Sequence, residues 1–186
     1  MSGIRWLCRL VRRHPDEVAG RATRSKLQRA GGLLVVLAAL ALPMQALAGA
    51  QVPLKGSDRG SFTLTPNACG PKNSWLRVSI TGAGTAQQLG KYTYKATECF
   101  DGSLFYFGAF TMTTASGNKL VGTYSGTVGP TDDPNVATYD QEAEFRGGTG
   151  CFGGVSGKFH VSGLANLATG DYSQKLSGTM SSPGSA

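Results

Sequence analysis

The sequence predicts an all-β fold: a small antiparallel eight-stranded up-and-down barrel, preceded by a cleavable signal segment. Three observations carry this. Beyond residue 50 the chain is a succession of short runs in which apolar and polar residues alternate, a period of two that gives each strand one core-facing side. Turn residues separate the runs, as at Asp101-Gly102, Ser116-Gly117-Asn118 and Thr169-Gly170-Asp171. No window of helical length carries an i, i+3, i+4 apolar stripe.

Residues 1–50 read as an address. Eight Lys and Arg stand there against Asp16 and Glu17, and Leu33 to Leu42 is an unbroken apolar run ended by Pro43. Ala46-Leu47-Ala48 and Ala48-Gly49-Ala50 both fit a small-x-small cleavage site, so cleavage is expected after Ala48 or Ala50. Basic, apolar, small is the order of a secretory signal peptide, here with a long basic region, and it predicts a secreted or periplasmic protein. The apolar run is shorter than the ~20 residues that span a bilayer. No stable membrane span is therefore expected after cleavage, and an uncleaved N-terminal anchor is the alternative. Six of the seven net positive charges also belong to this segment, because residues 51–186 carry ten basic and nine acidic groups. A near-neutral body without a Lys/Arg cluster has no footprint for a phosphate backbone, which argues against a nucleic-acid partner.

Residues 51–186 are expected to form a single barrel domain. The candidate strands are 61–65, 74–81, 91–100, 103–114, 119–128, 136–145, 157–165 and 171–180. Phe62 and Leu64 alternate with hydroxyls in the first; Leu76, Val78 and Ile80 alternate with polar groups in the second; Tyr92, Tyr94 and Ala96 share a face of the third. Eight short strands with one buried face close most simply into a barrel, with a two-sheet sandwich as the alternative. Glycines recur inside the strands, at Gly108, Gly122, Gly126, Gly157, Gly163 and Gly178. Interior glycine weakens a strand, so its repetition points to bends, bulges or close approach in a sheet that curls, which favours the barrel.

The densest glycine stretch is GGTGCFGGVSG, residues 147–157, and it contains a G-x-G-x-x-G spacing. A dinucleotide fingerprint needs a helix after it to hold the pyrophosphate. Here Val155, Gly157, Phe159 and Val161 follow at period two, which is a strand, so the glycines are read as a tight reversal with a bulge. The segment GGTGCFGGVSGKFHVSGLANLATGDYSQKLSGTM resembles the glycine-rich hairpin of allene oxide cyclase and dirigent-type barrels and of their exported bacterial relatives. The matching positions are Gly147, Gly148, Gly150, Phe152, Gly153 and Gly157, and the likeness covers roughly residues 119–180. The resemblance implies an eight-stranded barrel whose lumen holds a small apolar molecule. It assigns no catalytic residue to this chain, and Cys151 stands where the relatives often carry a basic residue.

Export would leave Cys69, Cys99 and Cys151 in an oxidising compartment. In an up-and-down meander the start of the second strand lies beside the end of the third, which brings Cys69 and Cys99 to one end of the barrel and Cys151 to the other. A Cys69–Cys99 disulfide is expected on that ground, since Cα atoms beyond ~7 Å are not bridged. Cys151 is then the odd cysteine, read either as a small side chain in a tight loop or as a reactive thiol.

Asp140, Glu142 and Glu144 share one face of a strand, as do Lys158 and His160 on the next. Pairing acid against base across a hairpin makes this a solvated outer face rather than a metal site. His160 is the one histidine past the signal, and no G-x-S-x-G elbow accompanies it. No zinc or EF-hand spacing is present, so neither a metal nor a cofactor is expected.

The function expected first is binding of a small apolar molecule in the lumen, with Tyr92, Tyr94, Leu104, Tyr106, Phe110, Met112 and Tyr124 as candidate lining residues. An isomerase or cyclase resembling allene oxide cyclase is the second expectation. Its mark would be Glu98, Gln174 or Cys151 pointing inward in a perturbed environment. A non-catalytic structural or surface protein, with a filled lumen, is the third.

Overall fold

The computed structural model describes residues 50–184. The expected signal segment, residues 1–50, lies outside the described residues apart from Ala50. Eight strands follow in chain order: β1 (Gln51–Cys69), β2 (Trp75–Ala86), β3 (Gly90–Phe100), β4 (Phe105–Thr114), β5 (Lys119–Pro130), β6 (Val136–Gly148), β7 (Gly157–Asn166) and β8 (Asp171–Ser181). Each pairs antiparallel with the next, and β8 returns to β1, which closes the barrel. No helix among the described residues is long and apolar enough to cross a membrane.

β1 begins ten residues before the expected run of 61–65. Its first half, Gln51–Ser61, pairs with β8, and a stretch from Gly56 to Thr65 pairs with β2. One long strand thus serves two neighbours, as closure of a tilted barrel requires. Inward positions follow one parity along each strand. On β3 they are Tyr92, Tyr94, Ala96 and Glu98, and on β6 Tyr139, Gln141, Ala143 and Phe145.

The interior glycines serve close approach above all. Gly108, Gly122 and Gly126 on β4 and β5 stand directly across the ladder from Tyr124, Phe110 and Tyr106, and Gly163 stands across from Tyr139. A methyl group on Gly122 would run into the Phe110 ring, and one on Gly163 into the Tyr139 ring. Each glycine clears the floor space that a neighbouring aromatic ring occupies, so a narrow barrel admits many rings.

The 147–157 stretch is a turn and a plug. Gly122 pairs with Phe145 while Val121 pairs with Gly147, so Arg146 is an extra, bulged residue on β6. Gly150, at φ 59°, opens the 3₁₀ turn Gly150–Phe152, which carries Phe152 into the core. Phe152 and Val155 pack there with Leu54, Met112, Leu120 and Met180 and fill this end of the barrel.

At the opposite end Cys69 is bonded to Cys99, with Cα atoms 6.0 Å apart and a sequence separation of 30. Replacing both by serine is expected to cost about 3 kcal/mol, because the unfolded chain regains the entropy of a long open loop. Urea denaturation of the double variant would measure it, and a loss below about 1 kcal/mol would show that the cross-link leaves the unfolded state unchanged. No cysteine of the described residues is free.

The acidic stripe lies on the outer surface. Glu142 faces His160 and Glu144 faces Lys158 across the β6–β7 ladder. His160 lies 3.1 Å from Asp140 and 3.2 Å from Glu142. Such exposed pairs contribute little to stability.

Candidate functional site

The glycine-rich plug closes one end of the barrel, while the end nearer the disulfide leads into a cavity of about 230 Å³. Its upper wall is apolar, from Phe62, Leu76, Val78, Ile80, Phe100 and Val128. Leu64 and Leu167, each about half exposed, form its lips. Exposure of two leucines at a cavity mouth costs solvation that a bound apolar group would recover.

The inner wall is polar and tyrosine-rich. Tyr94, Tyr106, Tyr139 and Tyr172 reach it, together with Glu98, Gln141 and Gln174. Glu98, half-buried on β3, accepts a hydrogen bond of 2.7 Å from the Tyr124 hydroxyl. Burial pushes its carboxyl up to about 7, against the opposing effect of that hydrogen bond. The group can therefore take or give a proton near neutrality.

A second carboxyl lies deeper, behind Gln174. Asp58 Oδ2 accepts from the Tyr92 hydroxyl at 2.7 Å and from Gln174 Nε2 at 3.0 Å. Gln174 in turn accepts from the Tyr139 hydroxyl at 3.2 Å. Burial raises the Asp58 pKa although Gln174, Tyr92 and Tyr172 all lower it. Asp58 Oδ1 and the hydroxyls of Tyr106 and Tyr172 are buried without a hydrogen bond of ordinary geometry, although Gln141 lies near Tyr106 and Asp58 near Tyr172. Burial, and then the neighbouring carboxylates, hold Tyr94 and Tyr139 well above the usual phenol range, so both remain hydrogen-bond donors.

The candidate lining residues divide among four places. Tyr94 and Tyr106 line the cavity. Tyr92 and Tyr124 are buried and hold the two carboxyls. Phe110 and Met112 are buried in the packed core below. Leu104 is a correction: it is 63% exposed, in the turn between β3 and β4. The Asp101 carboxylate accepts from both the backbone N–H and the hydroxyl of Ser103, which delays the strand to Phe105 and leaves Leu104 outside the alternation.

Asp58 and Gln141 escape a reading by residue type because a polar residue is ordinarily assigned to the outside. The signal that finds Asp58 is parity. Counting back by twos from Phe62 gives Gly60, Asp58, Gly56 and Leu54, the inward set. Among the described residues no three His, Cys, Asp or Glu side chains come together as metal ligands would.

No protein-family model matches the sequence, and no curated protein is a match to it. Solved structures do resemble the barrel. The pterocarpan synthase dirigent protein PsPTS1 is 13% identical, with a TM-score of 0.52 over 72% of this chain and 96% of that one. The pterocarpan synthase dirigent protein GePTS1 is 15% identical, with a TM-score of 0.51 over 76% of this chain and 91% of that one. At such identities the likeness is one of fold: this chain has a dirigent-type eight-stranded barrel.

Proposed function

We propose that residues 51–186 form an exported barrel that binds one small, largely apolar molecule in its lumen. The observation that carries this reading is the cavity: blocked at one end by Phe152, walled by aliphatic and aromatic side chains, and edged by exposed Leu64 and Leu167. A concave, mostly apolar site with a few convergent polar groups is the usual form of a small-molecule site. The Cys69–Cys99 bond supports export, since disulfides persist in oxidising compartments.

Native mass spectrometry of the protein purified from its own host tests the reading. A bound mass lost on denaturation is expected, and it should disappear in Ala137→Phe, which places a ring at the cavity wall. An unoccupied wild type that takes up nothing from a lipid and metabolite extract would favour a structural role instead.

A second reading, an isomerase or cyclase, is favoured by Glu98. A carboxyl that titrates near pH 7 beside a phenol is suited to moving a proton within a bound molecule. The catalytic names of the pterocarpan synthase dirigent proteins support this reading for a barrel of the same fold. Under it, the molecule released from Glu98→Gln has the same mass as that from the wild type but a different chromatographic retention. Identical retention would overturn catalysis and leave binding in place.

A further inference from the structure

Among the described residues, the lumen holds two carboxyls and no cationic side chain. All six tyrosines of the chain are buried, and Asp58 and Glu98 lie among them. Every Lys and Arg of the described residues is exposed. His160 is on the outer face, held between Asp140 and Glu142. A buried carboxylate needs a proton, a counter-charge or a full set of donors. Asp58 accepts hydrogen bonds of ordinary geometry on Oδ2 alone, with the Tyr172 hydroxyl near it, and Glu98 accepts one from the Tyr124 hydroxyl. The Tyr106 hydroxyl, which reaches the cavity, has Gln141 near it but no hydrogen bond of ordinary geometry.

These features constrain the ligand's charge. An organic anion would meet Glu98 with no Lys or Arg to receive it. A neutral hydrocarbon would fill the apolar wall and leave the inner carboxyl unanswered. A ligand with its own positive charge would supply the missing partner, and aromatic side chains accept an ammonium group as readily as an alkyl group because the ring faces are electron-rich. Resting on the reading that the lumen binds a small molecule, we propose that its preferred ligand is a small organic cation, an alkyl- or arylammonium. Its charge lies against the Glu98 carboxylate among Tyr94, Tyr106 and Tyr139, and its apolar remainder lies against Phe62, Ile80 and Phe100.

Binding of a cation at Glu98 depends on pH. The ionisable groups facing Glu98 are Tyr94 on its own strand, Tyr106 on β4, Tyr124 on β5 and Tyr139 on β6. Its ladder partners, Val78 on β2 and Gly108 on β4, carry no charge. Asp58 on β1 is the other carboxyl, and β7 and β8 contribute no cationic group to the interior. Binding a cation favours ionised Glu98, so affinity rises as pH passes through about 7.

Three soluble probes of one shape separate the outcomes: 2-phenylethylammonium, neutral 2-phenylethanol and anionic 3-phenylpropionate, each titrated calorimetrically into the purified protein at about pH 5.5 and about pH 8. The ammonium is expected to bind at least about tenfold more tightly than the alcohol at the higher pH. That preference should shrink at the lower pH and be lost in Glu98→Gln, and the anion should bind worst. The wild-type pH comparison tests the claim without any substitution. If the alcohol binds as well as the ammonium at both pH values, the cation proposal is overturned and the lumen reading stands. If none of the three binds, both fall.

Discussion

Replacing Phe110 by alanine is expected to cost about 3–5 kcal/mol of folding stability and to lower the Tm by on the order of 10–20 °C. The ring is at the centre of the aromatic core. Its centroid lies 5.8 Å from those of both Phe145 and Phe159, 6.1 Å from that of Tyr94 and 6.3 Å from that of Tyr124. It also covers Gly122, which has no side chain with which to close the gap. Neighbours that are rings on four different strands cannot collapse into the space without moving the barrel wall, so the full cavity cost applies. A domain of this size is stable by roughly 5–15 kcal/mol, which makes the loss a large share of the total. Urea denaturation with an unchanged m-value would measure it. A cost below about 1 kcal/mol would show that the wall relaxes around the missing ring.

The second large effect is a fall in stability with rising pH, set by Glu98. Its carboxyl titrates at about 7 in the folded protein and near 4.5 when exposed. Between those values the folded state keeps a proton that the unfolded state has already released. Stability is therefore fully present below about pH 4.5, declines as pH rises to about 7, and levels off above. The separation of the two values corresponds to about 3–4 kcal/mol. Asp58, also raised by burial, adds a decline of the same sign beginning near its own unfolded value of 3.8. Glu98→Gln keeps an oxygen for the Tyr124 hydroxyl while removing the titration, so the slope between about pH 5 and 7 should largely vanish. Stability that is flat or rising across this interval in the wild type would mean that Glu98 is ionised and well solvated in the folded state.

Much of the architecture is legible along the chain. The alternation of Leu76, Val78 and Ile80, or of Tyr92, Tyr94 and Ala96, follows from the strand repeat alone, and turn residues mark where each run stops. The strand after GGTGCFGGVSG is equally plain, because period-two hydrophobicity is incompatible with the helix that a phosphate cradle needs. The candidate site is legible only in part. Tyr94 and Tyr106 belong to inward runs, but Leu104 shares their parity and is exposed because a side-chain-capped turn delays the start of β4.

What the sequence determined by itself is the set of strands, their single buried face and their order, since each depends on neighbours within a few residues. The tertiary structure alone decided which polar residues enter the core. Asp58 occurs within Lys-Gly-Ser-Asp-Arg-Gly-Ser, a run with the composition of a loop, and becomes interior only because β1 must reach β8 to close the barrel. Its partners Tyr92 and Gln174 are 34 and 116 residues away. The space in which they meet exists because glycines on one strand yield to rings on the next. A cavity is formed by pairs of residues distant in sequence, and its chemistry is settled only when closure brings them together.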